Sequence, residues 1–259
     1  MPYADLGDIR LYFEEYGSGV PVIFLHGFTL DRRMWSQQAD YFSQRYYVIL
    51  LDARGHGLSS APNTGYSRDD RVEDLLRFVE QLGLDKFHLV GLSMGGSTAI
   101  GFALKYQTKL RSMTIVSTGA AGYKLPRNYG RYDELAKTVG LEAARAEWRE
   151  LSLKWFKGKR SGPHDLMKQM IDEHSGAIWL DPMRGKYPSV PDLEHVHEIT
   201  VPTFIIAGER DRVFVPLSQQ IHERIAGSRL SIMKDAGHML NLERPNEFNT
   251  LLDGFLESV

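Results

Sequence analysis

The sequence predicts an α/β fold, a mainly parallel sheet covered by helices on both faces. Three observations carry that expectation. Short, nearly continuous apolar runs rich in β-branched residues recur along the chain, as in strands buried on both faces. Stretches with helical apolar spacing separate them, and strand alternating with helix is the signature of a parallel sheet. One such strand leads through "GLSMGG" (residues 91–96) into a small-residue helix, the strand–turn–helix context in which a G-x-S-x-G turn exposes a serine.

Taken in order, "IRLYFEEYG" (residues 9–17) partly alternates and ends at the turn-forming Gly17-Ser18-Gly19. "PVIFLHG" (21–27) and "YYVILLD" (46–52) read as buried parallel strands, with a helix over 32–44 between them. Residues 69–82 place Val72, Leu75, Leu76, Val79 and Leu82 on one helical face. Strand "FHLVG" (87–91), a helix over 94–106 and strand "SMTIVS" (112–117) follow. The pattern resumes with strand "PTFIIAG" (202–208), helix 216–226, strand "RLSIMKD" (229–235) and a closing helix over 242–256.

The interval 119–196 breaks the pattern. It has helical stretches, notably 132–156, and no convincing strand. It is rich in cations: Lys124, Arg127, Arg131, Lys137, Arg145, Arg149, Lys154, Lys157, Lys159 and Arg160. Prolines stand at 163, 182, 188 and 191. A crossover needs far less chain, so the interval reads as a helical cap, with the core formed by 1–118 and 197–259. The alternative is two ordinary crossover helices with long loops. The cap residues Trp148, Trp155, Phe156, Met167, Met170 and Trp179 read first as its packing core, and some of them as an apolar pocket lining.

Composition narrows the function. The 259 residues carry a net charge of −2, which offers no field for nucleic acid or an anionic membrane. There is no cysteine, which removes disulfides, thiolate metal sites and a cysteine nucleophile, and fits a reducing cytoplasm. No signal peptide is visible in "MPYADLGDIR", and no apolar run approaches the ~20 residues that span a bilayer. No H-E-x-x-H or similar pair is present, and His195/His197 would need further ligands to hold a metal.

With Gly at 24 of 259 positions, G-x-S-x-G occurs by chance in roughly one such chain in ten, so Ser93 needs partners to count as a nucleophile. A serine hydroxyl is weak until a base takes its proton. "DAGHMLNLERP" supplies His238 in a Gly-containing loop after the last strand, and "AGERDRVFVP" supplies a carboxylate after the preceding one. Asp211 is the choice to fix the histidine tautomer. Glu209 lies too close to the strand end, and Asp235 too near His238 to reach around its ring. The backbone N–H groups of Met94 and Phe28, each just after a strand end, are the candidates for an oxyanion hole. Asp52, Arg54 and His56 in "DARGHG" look catalytic in isolation and read as structural, as does His26.

Together "HGF" (26–28), "DARGHGLS" (52–59), "GLSMGG" (91–96), "GERDRVFVP" (208–216) and "AGHMLNLERP" (236–245) resemble the α/β-hydrolase fold superfamily across essentially the whole chain. The resemblance implies an eight-stranded, mostly parallel sheet, a cap inserted after the sixth strand, a Ser–His–acid triad and no cofactor. It is nearest to the serine esterase and 3-oxoadipate enol-lactonase branch. Such lactonases usually lack the His26-Gly27 pair, which suits carboxylesterases better. Cofactor-free perhydrolases often carry Trp where this chain has Phe28. Carbon–carbon bond hydrolases of aromatic degradation commonly have Trp where it has Met239. Dehalogenases and epoxide hydrolases use Asp in place of Ser93. The expected activity is hydrolysis of a small-molecule carboxylic ester or lactone, with a short to medium acyl group, through an acyl-enzyme. The alternatives on this fold are an enol-lactonase or carbon–carbon bond hydrolase of aromatic degradation, a cofactor-free perhydrolase, acyl transfer and a non-catalytic ligand receptor. No nucleic-acid or membrane partner is expected. A cationic stretch at 145–160 reads as a solvated helix face before it reads as an anion site.

Overall fold

The computed structural model describes residues 2–123, 128–156, 161–182 and 191–259. Lys124, Arg127, Lys157, Lys159, Arg160 and Pro188 of the interval discussed above lie outside the described residues. Eight strands form one sheet: β1 (Tyr3–Asp5), β2 (Arg10–Tyr16), β3 (Val20–Leu25), β4 (Tyr46–Leu51), β5 (Phe87–Leu92), β6 (Leu110–Val116), β7 (Thr203–Gly208) and β8 (Arg229–Met233). Their order is β1-β2-β4-β3-β5-β6-β7-β8. β1 and β2 pair antiparallel, as do β2 and β4, and every later pair is parallel. The three-residue β1 is too short to show a period, and the sequence reading has no strand there.

The apolar runs are buried on both faces, as expected. Val22, Phe24, Val48, Leu50, Val90 and Leu92 face one core with α1 (Ser36–Phe42). Ile23, Leu25, Ile49, Leu51 and Leu89 face a second core with α2 (Arg68–Gln81) and α3 (Met94–Tyr106). Each strand therefore serves both cores through its two-residue period. α2 starts at a capping box: Asp70 N donates to Ser67 Oγ (3.1 Å), and Ser67 N donates to Asp70 Oδ2 (2.8 Å). Val72, Leu75, Phe78 and Val79 form its buried face.

Between β6 and β7 the chain forms α4 (Arg131–Thr138), α5 (Leu141–Leu153), α6 (Ser161–Glu173), α7 (Ala177–Leu180) and α8 (Asp192–His195). The single helix expected over 132–156 is two, because Gly140 adopts φ +127°, which ends one helix and opens the next. Tyr132, Trp148, Met167, Met170 and Trp179 join the core that contains Phe24 and α1. Polar contacts fasten this segment to the rest. Arg68 pairs with buried Asp192, Tyr66 N donates to Asp181 Oδ2 (2.8 Å), and Trp148 Nε1 donates to Thr29 Oγ1 (2.6 Å).

After β7 come α9 (Val215–Arg224), β8, α10 (Leu240–Glu243) and α11 (Pro245–Leu256). The closing helix expected over 242–256 is thus interrupted. Arg244, just before Pro245, sits at φ −139°, ψ 61°, outside the helical region that proline denies its predecessor. Among the described residues no helix is long and apolar enough to cross a membrane.

Candidate active site

Ser93 occupies the turn between β5 and α3. Its backbone, φ 55° and ψ −110°, is strained for a residue with a side chain. Three hydrogen bonds hold it there. Ser93 N donates to Val116 O (2.9 Å), and Ser93 O accepts from Ser97 N (3.0 Å) and Thr118 Oγ1 (2.7 Å). The flanking glycines are required by space. A Cβ on Gly91 would stand 2.4 Å from the Gly95 carbonyl carbon, and one on Gly95 would stand 2.3 Å from Leu25 O. A Cβ on Gly96 would meet Thr118 Oγ1 at 2.5 Å. The turn is this tight because α3 leaves directly over the ends of β3 and β5.

Asp211 and His238 come together from the loops after β7 and β8. His238 Nδ1–H donates to Asp211 Oδ2 at 2.6 Å, and both side chains are buried. This bond places the ring proton on Nδ1 and leaves Nε2 as a base. Burial pushes the Asp211 carboxyl up, but the imidazole charge and the hydrogen bonds from His238 and Phe214 N outweigh it, so its pKa is lowered. Asp211 is therefore an anion throughout the neutral range. The other two carboxylates serve the loops: Glu209 Oε2 accepts from Asp235 N (3.0 Å), and Asp235 pairs with Arg210 (2.5 Å). The His238 ring is stacked by Phe214 (5.0 Å between centroids) and met edge-on by Trp155 (4.9 Å). Trp155 O also accepts from His238 N (3.4 Å).

Ser93 and His238 line one cavity of about 210 Å³ with Phe28, Met94, Trp148 and Trp155. Among the described residues no hydrogen bond joins the Ser93 hydroxyl to His238. Met94 is the first residue of α3, so its N–H has no acceptor within the helix. Phe28 follows β3 and is packed edge-on by Trp148 (5.0 Å) and Trp179 (6.1 Å). Of the large apolar residues expected in the insertion, Trp148 and Trp155 reach the cavity, while Phe156, Met167, Met170 and Trp179 are buried in the core. Sequence reasoning missed Arg71, Tyr129 and Phe214 in the cavity wall. Only the place of Phe214, three residues after Asp211, hinted at its position.

The residues read as structural have structural partners. His26 Nδ1–H donates to Gly27 O (2.8 Å), and its Nε2 accepts from Ala53 N (2.9 Å). Fully buried Asp52 accepts from Arg32 N (2.8 Å), Arg32 Nη1 (2.9 Å) and Leu58 N (3.0 Å). Burial nonetheless raises its pKa. Arg54 forks onto Asp74 at 2.5 and 2.6 Å. His56 Nδ1–H donates to Arg54 O (2.9 Å), and burial and the neighbouring His174 and His26 push its pKa well down. His195 faces Glu198 (2.5 Å), and His197 Nδ1 faces Glu194 O (2.9 Å). Among the described residues no three His, Cys, Asp or Glu side chains converge as a metal would require.

A family model described as the alpha/beta hydrolase family matches residues 22–251. The chain belongs to the alpha/beta hydrolase family. It is similar to a Bacillus subtilis protein named provisionally as a 2-succinyl-6-hydroxy-2,4-cyclohexadiene-1-carboxylate synthase, with 30% identity over 92% of this chain and 90% of that one. A thermophilic esterase from Thermogutta terrifontis superimposes with TM-score 0.85 and 27% identity over 96% of this chain and 94% of its own. An enol-lactonase from Burkholderia xenovorans LB400 shares the fold at TM-score 0.89 and 23% identity, covering 99% of this chain and 100% of its own.

Proposed function

We propose that this alpha/beta hydrolase is a carboxylesterase that works through an acyl-enzyme on Ser93. The observation that carries the reading is the buried His238–Asp211 hydrogen bond (2.6 Å) in the wall of the cavity onto which the strained Ser93 turn opens. Ser93 Oγ attacks the ester carbonyl while His238 Nε2 takes its proton. The oxyanion lies against the N–H groups of Phe28 and Met94, each a donor worth roughly 3 kcal/mol to the transition state. Asp211 steadies the imidazolium. His238 returns the proton to the departing alcohol, and a water that it then activates releases the acid. In this reading residues 119–196 are the cap that excludes solvent, and 1–118 with 197–259 are the catalytic core. A cavity near 210 Å³ is smaller than the ~300–1,000 Å³ of pockets for drug-sized ligands, which supports a short to medium acyl group. The absence of cysteine supports a cytoplasmic site of action.

The test is hydrolysis of p-nitrophenyl esters with acyl chains from acetyl to dodecanoyl, by the native chain and by Ser93→Ala. The expected result is a preference for the shorter chains and a loss of at least ~10³-fold in kcat for Ser93→Ala. Turnover retained by Ser93→Ala, or no turnover of any ester by the native chain, contradicts the reading.

A further inference from the structure

A second cavity, of about 440 Å³, adjoins the first and shares Tyr129, Trp155, Phe214 and His238 with it. Among the described residues, its wall holds neither Ser93 nor the oxyanion donors, but it does hold three cations, Lys154, Arg210 and Arg212. Arg210 is paired with Asp235 (2.5 Å). Exposed Lys154 and Arg212 form no ion pair with any described residue. Three arginines of the inserted segment are already neutralised. Arg131 pairs with Glu147, Arg145 with Glu142 and Arg149 with Asp172. Among the described residues, Lys154 and Arg212 are the cations of this cavity wall that no carboxylate neutralises. Among the described residues of the wall, the one carboxylate, Asp211, is buried behind His238 and bonded to it.

The serine-ester mechanism proposed above, on which this inference rests, fixes which part of a substrate enters here. The acyl carbon must sit at Ser93, with its oxygen toward Phe28 and Met94 in the smaller cavity. The departing alcohol takes its proton from His238, so it lies on the imidazole side. The acyl cavity has its own cation, Arg71, but that guanidinium donates to Tyr66 O (3.0 Å), Ser67 O (3.2 Å) and Thr98 Oγ1 (3.1 Å), which ties it to α2 and α3.

We propose that the larger cavity is the leaving-group subsite and that it selects esters whose alcohol part carries a carboxylate, held by Lys154 and Arg212. Trp155 and Phe214 flank the path from His238 to that pair, which suits an aryl or alkyl spacer between the ester oxygen and the anion.

The test compares kcat/KM for 4-acetoxybenzoate and for the neutral 4-acetoxybenzamide, each divided by its hydroxide-catalysed rate to remove intrinsic reactivity. The native chain should favour the carboxylate by roughly three- to ten-fold in low salt, as two partly exposed ion pairs allow. The preference should shrink toward parity at high ionic strength. Lys154→Ala with Arg212→Ala should bring the normalised ratio close to one. Arg149→Ala, which removes a cation already paired on the same segment, should keep the native ratio. Turnover of both esters without preference, or a preference that survives the double substitution or disappears equally in Arg149→Ala, overturns the subsite and leaves the esterase reading standing. Turnover of neither ester by the native chain overturns both.

Discussion

The two walls of the small cavity are built on different principles. The wall from the sheet is set by backbone contact: Gly91, Gly95 and Gly96 have carbonyls or a hydroxyl within 2.6 Å of where a Cβ would stand, and Ser93 is held at φ 55° between them. The wall from the inserted helices is set by side-chain packing, with Trp148 and Trp155 edge-on to each other (5.3 Å) and to Phe28 and His238. Backbone contact admits one residue type, whereas aromatic packing admits several of similar volume. On the proposed function, the chemistry is fixed where the chain has least freedom, and substrate choice falls to the wall that tolerates substitution.

Four outcomes break or sharpen this contrast. Asp211→Asn should keep the fold and cost about 10⁴-fold in kcat, near 5 kcal/mol, because the neutral amide cannot stabilise the imidazolium and its N–H group favours the wrong histidine tautomer. A drop of only a few-fold would place the orienting carboxylate elsewhere. Gly95→Val, driven against Leu25 O, should cost at least ~4 kcal/mol in urea unfolding, whereas Trp155→Phe should cost under ~1.5 kcal/mol. Equal costs would erase the contrast between the walls.

Acid should act on the sheet side as well. His88, buried in β5, has its pKa lowered to about 4 by burial and by Arg111, against an ordinary value near 6.5. The unfolded chain takes up that proton first, so the stability is complete above pH ~6.5 and is lost as pH falls toward ~4, by about 3 kcal/mol. His26 and His56, also lowered by burial, act in the same direction. Thermal midpoints measured across that range should fall with pH, and His88→Gln should flatten the slope. An unchanged slope in that variant would remove His88 from the account. An effect of similar size to that of Trp155→Phe belongs to Trp148→Phe, which deletes the Nε1–H donor to Thr29 Oγ1 and should cost about 1–2 kcal/mol by chemical denaturation. No measurable change would mean that the bond does not fasten the inserted segment.

The parts of the molecule legible in the sequence are those with a strict period or a strict steric demand. The buried strands and α2 match their expected positions to within a residue or two, because apolar burial on both sheet faces and a capped amphipathic helix leave few alternatives. The loops that carry Asp211 and His238, whose side chains the structure brings together at 2.6 Å, were readable from their places after two strands. β1 was not, since three residues carry no period. The break at Gly140 was hidden inside an apolar pattern that continues across it, and only the glycine itself marked the change of direction. Arg71 was unreadable for another reason: it lies on a polar position of α2, and its place beside Ser93 follows from how α2 packs on α3.

The most direct test of the central claim is covalent. Native protein would be treated with a fluorophosphonate, and the adduct located by peptide mass spectrometry, with Asp211→Asn treated in parallel. The account predicts one phosphonyl group per chain, on Ser93, formed far more slowly in Asp211→Asn. An adduct on another residue, or none on the native chain under conditions that label a serine esterase fully, would contradict it.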